Sequence, residues 1–276
     1  MTIRTMTLGD LQEVLGWAGD EGWNPGLDDA KAFLAADPQG FLINEVGGER
    51  AAAISVVNHD PGFAFLGLYL CRPQFRGQGH GLDVWREGIA HAGGRSIGLD
   101  GVPEQQDNYA QSGFIKYSST IRFEGRIDAE PDPRVRRALP NEMETLIACD
   151  AKVCGMNRTA FAEAWFARSL NRQTVVVTDG GEIKGYATFR HCSSGTKVGP
   201  LCAASQADAQ VLLASNPFAE YDAPVFVDVQ KQSPRLVAML KNCGFEPVFE
   251  TARMFRGAQP EANPPAFHAI ATMELG

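Results

Sequence analysis

One stretch constrains this chain more than any other. FAFLGLYLC, a nearly continuous apolar run at 63–71, is followed by RPQFRGQGHG (72–81) and then by LDVWREGIAHAGG (82–94). The apolar run reads as a central strand covered on both faces. Leu82, Val84, Trp85 and Ile89 give the third segment the inner set of a helix. Between them, Gly77, Gly79 and Gly81 cost backbone entropy that needs a reason. Two readings account for them: a tight turn, or a loop whose bare amides wrap an anion. Gly-Lys-Ser/Thr is absent, so this is not a nucleotide P-loop. The third glycine comes one residue early for GxGxxG, and no acidic ribose partner follows at the required spacing. The geometry still suits a pyrophosphate at the N-terminus of the helix, with Arg76 adding a charge-assisted contact.

The rest of the chain alternates in the same way. LGDLQEVLGWAGDE (8–21) and LDDAKAFLAAD (27–37) read as helices separated by GWNPG (22–26). A hairpin follows, with strands at 41–46 and 50–57 around Gly47-Gly48. After the loop and its helix come a buried strand at 96–102, a short helix in QDNYAQSGF and a closing strand FIKYSSTIRFEG. RIDAEPDPRVRRALP (126–140), with three prolines and little periodicity, reads as a linker. The order then recurs: helices within 141–170, strands at 173–178, 183–190 and 196–202, a helix near 205–215, a strand at 224–229 and a helix at 232–243.

The recurrence extends to letters. SGFIKYSSTIRF (112–123) and CGFEPVFETARM (243–254) share Gly-Phe and an arginine eight residues past the phenylalanine, Arg122 and Arg253. Each follows an apolar strand bearing an aspartate, Asp100 and Asp228. A repeat of this length means duplicated domains rather than a solenoid. The expected division is 1–126 for the first unit, 127–139 for the linker and 140–276 for the second unit.

Composition narrows the function classes. With 276 residues the chain makes one large domain or two ordinary ones. Its formal charge of −8 is ordinary for solubility, and no basic run interleaves with aromatics, so nucleic acid is not an expected partner. No stretch approaches the roughly 18 apolar residues of a membrane span, and the start has no apolar signal core. Six dispersed cysteines without a CxxC pair suggest reduced thiols in the cytoplasm. The histidines show no ligand spacing, so no metal is expected. Lys152, Arg158, Arg168 and Arg172 read as a solvated helix face.

Arg76-x-x-Gly79-x-Gly81, after Pro73 and an apolar strand, resembles the acyl-CoA signature of the GNAT superfamily of N-acetyltransferases. The element order and Tyr109-Ala-Gln-Ser-Gly113-Phe114, similar to the family's Tyr-x-x-x-Gly-Phe, support it. The resemblance covers 2–125 well and 140–276 more weakly. It implies an α/β fold built on a mixed sheet, with two GNAT-like acyl-CoA N-acyltransferase units in tandem. It also implies direct attack of an amine on the thioester of acetyl-CoA, a co-substrate that needs no metal.

By this resemblance Arg76, Gly77, Gln78, Gly79, His80 and Gly81 hold the CoA pyrophosphate. Tyr69, Leu70 and Cys71 lie where the strand parts from its neighbour, so their main chain can pair with pantetheine and polarise the thioester carbonyl. Core packing suffices for the side chains of Tyr69 and Cys71. Tyr109 matches the position of a general acid for the leaving thiolate. The family's carboxylate is missing from the central strand, which leaves the base among Asp100, Glu21 and, third, His59. Each also suits a cap, turn or surface role, and Asp100 could be a structural ligand because Asp228 recurs. For the family's asparagine before this tyrosine, Gln105 or Gln106 is a replacement, and Asn108, close by, is a loose match. Trp23 and Asn24 fall where such proteins line the acceptor site. The second unit has VGPLCAASQADAQ (198–210) in place of the loop and Leu240 in place of Tyr109, which implies a first unit that carries the chemistry and a second that buttresses it or closes over the acceptor. The expected acceptor is a small-molecule or amino-acid-like amine, and the chain is expected to be a monomer or homodimer. The competing expectation is a non-catalytic acyl-CoA sensor or assembly module.

Overall fold

The computed structural model describes residues 2–128, 130–219 and 223–276; Met1 of the expected first unit, Ala129 of the linker and residues 220–222 lie outside the described residues. The first half runs β1 (Thr2–Thr5), α1 (Leu8–Asp20), α2 (Asp29–Ala36), β2 (Phe41–Val46), β3 (Glu49–Asn58), β4 (Phe63–Cys71), α3 (His80–Ala92), β5 (Ser96–Gly101), α4 (Gln106–Gln111) and β6 (Ile115–Gly125). The second half repeats it: β7 (Val135–Arg137), α5 (Met143–Cys154), α6 (Thr159–Phe166), β8 (Arg172–Asp179), β9 (Glu182–His191), β10 (Thr196–Ala203), α7 (Gln206–Ala214), β11 (Val225–Gln230), α8 (Pro234–Asn242) and β12 (Glu246–Arg256), with β13 (Phe267–Ala269) added in the tail. Sequence reasoning missed β1. It also read 126–140 as a linker, and β7 lies inside that stretch and pairs antiparallel with β8, as β1 pairs with β2.

All these strands join one mixed sheet in the order β1-β2-β3-β4-β5-β12-β6-β11-β10-β9-β8-β7, with β13 on β10. The order is symmetric about β12 and β6. Each half has exchanged its last strand: β6 pairs with β11, and β12 pairs with β5. The closing strand at 115–125 therefore does not close its own half. Exchange converts the repeated Asp and Arg into reciprocal ion pairs. Arg253 lies opposite Asp100 in register and donates to both its oxygens at 2.9 and 2.6 Å. Arg122 lies opposite Asp228 and does the same at 2.7 and 2.9 Å.

The helical layers explain why the halves cohere. α1 is set by a capping box between Thr7 and Asp10 and buries Leu11, Val14, Leu15 and Ala18. α1 and α2 pack on the same apolar cluster as α5 and α6; Phe33 stacks on Trp165 at 6.0 Å. On the opposite face, α3 and α7 cover separate cores of the first and second halves. The expected solvated arginine face is half wrong. Lys152 and Arg168 are exposed, but Arg158 is buried in a two-pronged pair with Asp150, and Arg172 is buried with its guanidinium on the carbonyls of Asp28 and Ala164. Such pairing offsets much of the cost of burying a guanidinium. All six cysteines are free. No helix of the described residues is long and apolar enough to cross a membrane.

Candidate active site

β4 and β5 run parallel from Phe63/Ser96 to Leu66/Leu99, and there the pairing ends. β4 continues to Cys71, still bonded to β3, through a bulge at which Leu68 adopts φ +45°. The side of Tyr69, Leu70 and Cys71 that faces β5 is thus freed of its ladder, the splay that the family resemblance implied. The wedge holds a cleft lined among others by Gly67, Leu68, Tyr69, Asp100 and Tyr109.

At the outer end of β4 a short turn at Pro73–Phe75 leads into the glycine loop. Gly77 and Gly79 have φ of +74° and +89°, a region that disfavours side chains. A Cβ added at either would meet open space, so the loop presents bare backbone to solvent. Gly79 is the N-cap of α3 and offers no side chain to its first amides, and His80 begins the helix. Unsatisfied N–H groups at a helix start, on a loop with room beside it, fit a pyrophosphate. Arg76 is half-exposed here, giving Nε to the Cys71 carbonyl at 2.9 Å and forming an ion pair with Glu21 at 2.7 Å. The loop is tied to itself by Gln78, whose amide donates to the Gln74 carbonyl. Asn108 is exposed and bonds Gln105 rather than entering the cleft lining.

Three rings build the wall nearest the helix. Trp85 of α3 lies 5.2 Å from Tyr69 and stacks on Tyr109 at 5.7 Å. Close approach of Tyr109 requires Gly101, where a Cβ would stand 2.8 Å from the ring. Burial, and secondarily the Tyr69 hydroxyl, pushes the Tyr109 phenol well above its usual range, so it stays protonated at neutral pH.

The base candidates are placed differently. Asp100 lines the cleft, but both its oxygens serve Arg253, and one also accepts from Thr120 at 2.8 Å. Glu21 stands at the outer groove paired with Arg76. His59 lies outside the cleft lining, bonded through Nε2 to the Leu275 carbonyl at 2.8 Å; burial pushes its pKa down to about 4. Trp23 reaches the cleft, and its carbonyl accepts from Arg122 at 2.9 Å and from Lys197 at 2.7 Å. Burial pushes the Lys197 ammonium down to about 8. Asn24, at φ +50°, clamps the Ser194 backbone of the second half. The cleft leads outward past Arg122 and Phe249 into a wider groove bearing Asp20, Glu21 and Glu124. Sequence reasoning gave none of Arg122, Phe249, Thr251, Met273 and Glu274 a place in the site; the last four bring the second half and the tail into the lining.

The second half has the same fork, and it is filled. β10 and β11 pair only from Thr196/Val225 to Val198/Val227. Beyond that point β13 lies antiparallel on Leu201–Ala203, and the Ile270 amide donates to the Asp228 carbonyl at 3.0 Å. A Cβ on Gly199 would stand 2.3 Å from the Ile270 carbonyl oxygen, so the tail lies directly on the β10 backbone there. Among the described residues no group of His, Cys, Asp and Glu could hold a metal ion.

A mixed sheet parted between its fourth and fifth strands, with an uncapped glycine loop at the mouth of the wedge and the whole arrangement duplicated, defines a tandem GNAT acyltransferase. The comparisons agree. An acetyltransferase (GNAT) domain model matches residues 146–266, the half whose sequence resemblance is weaker. The chain is 35% identical over its whole length, and 94% of the relative's, to the holothin acyltransferase of Pseudoalteromonas sp. (strain SANK 73390). It therefore belongs to the GNAT acyltransferases, which use acyl-CoA. In fold it matches a putative acetyltransferase from Pyrococcus horikoshii, with TM-score 0.80 at 20% identity over 100% of this chain and 95% of that one. It also matches a tandem GNAT protein from the clavulanic acid biosynthesis pathway, with TM-score 0.63 at 13% identity over 95% and 99% of the two chains.

Proposed function

We propose that the first half transfers an acetyl group from acetyl-CoA to the primary amine of a small or amino-acid-like acceptor. The observation that carries this reading is the open β4–β5 wedge, with Tyr109 inside it and the bare amides of 77–81 at its mouth. In this reading Gly77 to Gly81 and Arg76 seat the pyrophosphate, Arg76 giving up Glu21 for it. The freed main chain of Tyr69 to Cys71 holds the pantetheine and orients the thioester carbonyl. Tyr109, kept protonated by burial, donates to the departing sulfur. Asp100 serves the ion pair with Arg253 rather than the amine. The acceptor enters by the outer groove, where Asp20, Glu21 and Glu124 attract a cation, and Trp23 walls its seat. The relative's name makes holothin the first acceptor to try. We place the protein in the cytoplasm, as a monomer or homodimer.

The rival reading, a non-catalytic acyl-CoA sensor, draws on the lack of any carboxylate on β4. Release of free CoA from acetyl-CoA, measured across a panel of alkyl and aryl amines including holothin, separates the two. Release with any amine supports the transferase. Thermal stabilisation by acetyl-CoA without release from any amine supports the sensor, and no stabilisation removes both.

A further inference from the structure

The carboxylate that β4 lacks is supplied from the tail. Past β13 the chain crosses from the second half to the first and lays Glu274 against Gly67, the β4 residue next after the last pair with β5. A Cβ on Gly67 would stand 2.2 Å from the Glu274 carbonyl oxygen, so the absence of a side chain there is what admits the tail. The segment is held on several sides. Arg190 donates to the Ala271 carbonyl at 3.1 Å, His59 bonds the Leu275 carbonyl, and Arg158 donates to the Gly276 carbonyl. Glu274 is buried, lines the cleft with Tyr109, and accepts from the Thr272 hydroxyl.

Its charge balance sets it apart from Asp100. Among the described residues Asp100 has a guanidinium on both oxygens, whereas no cation lies within ion-pairing distance of Glu274. Arg122, Lys197 and Arg190 sense its field from farther away. A buried carboxylate in the lining of a cavity, with one hydroxyl for company, has no cation in direct contact with it. A primary ammonium entering the cleft supplies one.

We propose that Glu274 receives the acceptor's ammonium and takes its proton. This rests on amine acyl transfer at this cleft. Glu274 accepts one proton from the ammonium and later yields it to solvent. The freed nitrogen lone pair forms the C–N bond to the thioester carbonyl, and the C–S bond breaks. Tyr109 gives its proton to the sulfur and is reprotonated, through water, by the second proton leaving the nitrogen. The products are the amide, free CoA and one released proton.

The test is Glu274→Gln in the full chain, comparing an alkyl amine that is protonated at the assay pH with an aryl amine that is neutral there, both taken from the panel above. For the alkyl amine we expect kcat/KM to fall about a hundredfold, and binding to the CoA-saturated enzyme, read by calorimetry, to weaken about tenfold or more. The aryl amine should lose little, and thermal stabilisation by acetyl-CoA should be unchanged. Equal losses for both amines, or no loss for either, overturn the assignment while leaving acyl transfer standing. Absence of acetyl-CoA stabilisation or of CoA release in the unsubstituted protein instead overturns the reading on which it rests. If the glutamine variant does not fold, Glu274→Asp keeps the charge and withdraws it by one methylene. It should show the same selectivity with a smaller loss, and an equal loss for both amines again overturns the proposal.

Discussion

The two forks of the sheet start from one plan and end in opposite states. β4 and β5 part at Leu66/Leu99 into an open cleft, while β10 and β11 part at Val198/Val227 around the chain's own tail. A fork in a parallel pair strands backbone donors and acceptors that must find partners. The second half satisfies them internally with β13 and the Ile270 amide. The first leaves its side of β4 unpaired with β5 beyond Leu66, and it carries the loop and the tyrosine that the second lacks. Duplication thus separates two tasks: one fork stays available, and the other anchors the segment that finishes the first.

The sharpest way to break this contrast is at the loops. Gly79→Glu puts a charged side chain and an L-residue at φ +89° into the proposed pyrophosphate seat. It should abolish thermal stabilisation by acetyl-CoA. Ala204→Glu, at the exposed start of the corresponding turn in the second half, should leave that stabilisation intact. Loss of binding in the second variant instead of the first would reverse the roles of the two forks.

The reciprocal ion pairs test whether the symmetry extends to energetics. Asp100→Ala and Asp228→Ala each leave a buried guanidinium without its carboxylate, at a cost of about 3–5 kcal/mol. Urea unfolding should register similar losses for both. A variant at 100 that keeps its stability yet loses turnover would mark Asp100 as a participant in the reaction.

Much of this was legible in the residues, for physical reasons that can be named. A continuous apolar strand, a glycine loop and an amphipathic helix are local patterns, so β4, the loop and α3 could be read directly, with the helix beginning two residues earlier than expected, at His80. The Asp and Arg repeats were visible as letters. Their pairing was not, because β6 and β12 are strands of the same length, and nothing local tells a strand which half to join. The same holds for Arg158 and Arg172, whose spacing imitates a solvated helix face while the atoms that accept from Arg172 include the carbonyl of Asp28, far away in sequence. Glu274 was hidden by the proline-rich approach at 260–265. The one available signal was the apolar run from Phe267 to Leu275, buried throughout, with a single carboxylate set in it.

The finest distinction between the forks is a single hydroxyl. Tyr109 stands four residues before Gly113, and Leu240 stands four before Gly244. Both are buried, so apolar packing explains Leu240 fully and explains the ring of Tyr109, stacked on Trp85. It does not explain why the first half carries an oxygen in a place where burial raises the cost of ionising it. A phenol held neutral is useful where a thiolate must be protonated as it leaves. Tyr109→Phe keeps the ring and removes only that proton. Turnover should therefore fall about a hundredfold, while acetyl-CoA stabilises the variant as well as the unsubstituted protein. If turnover is unchanged, the hydroxyl belongs to packing, and the difference between the forks reduces to which of them is empty.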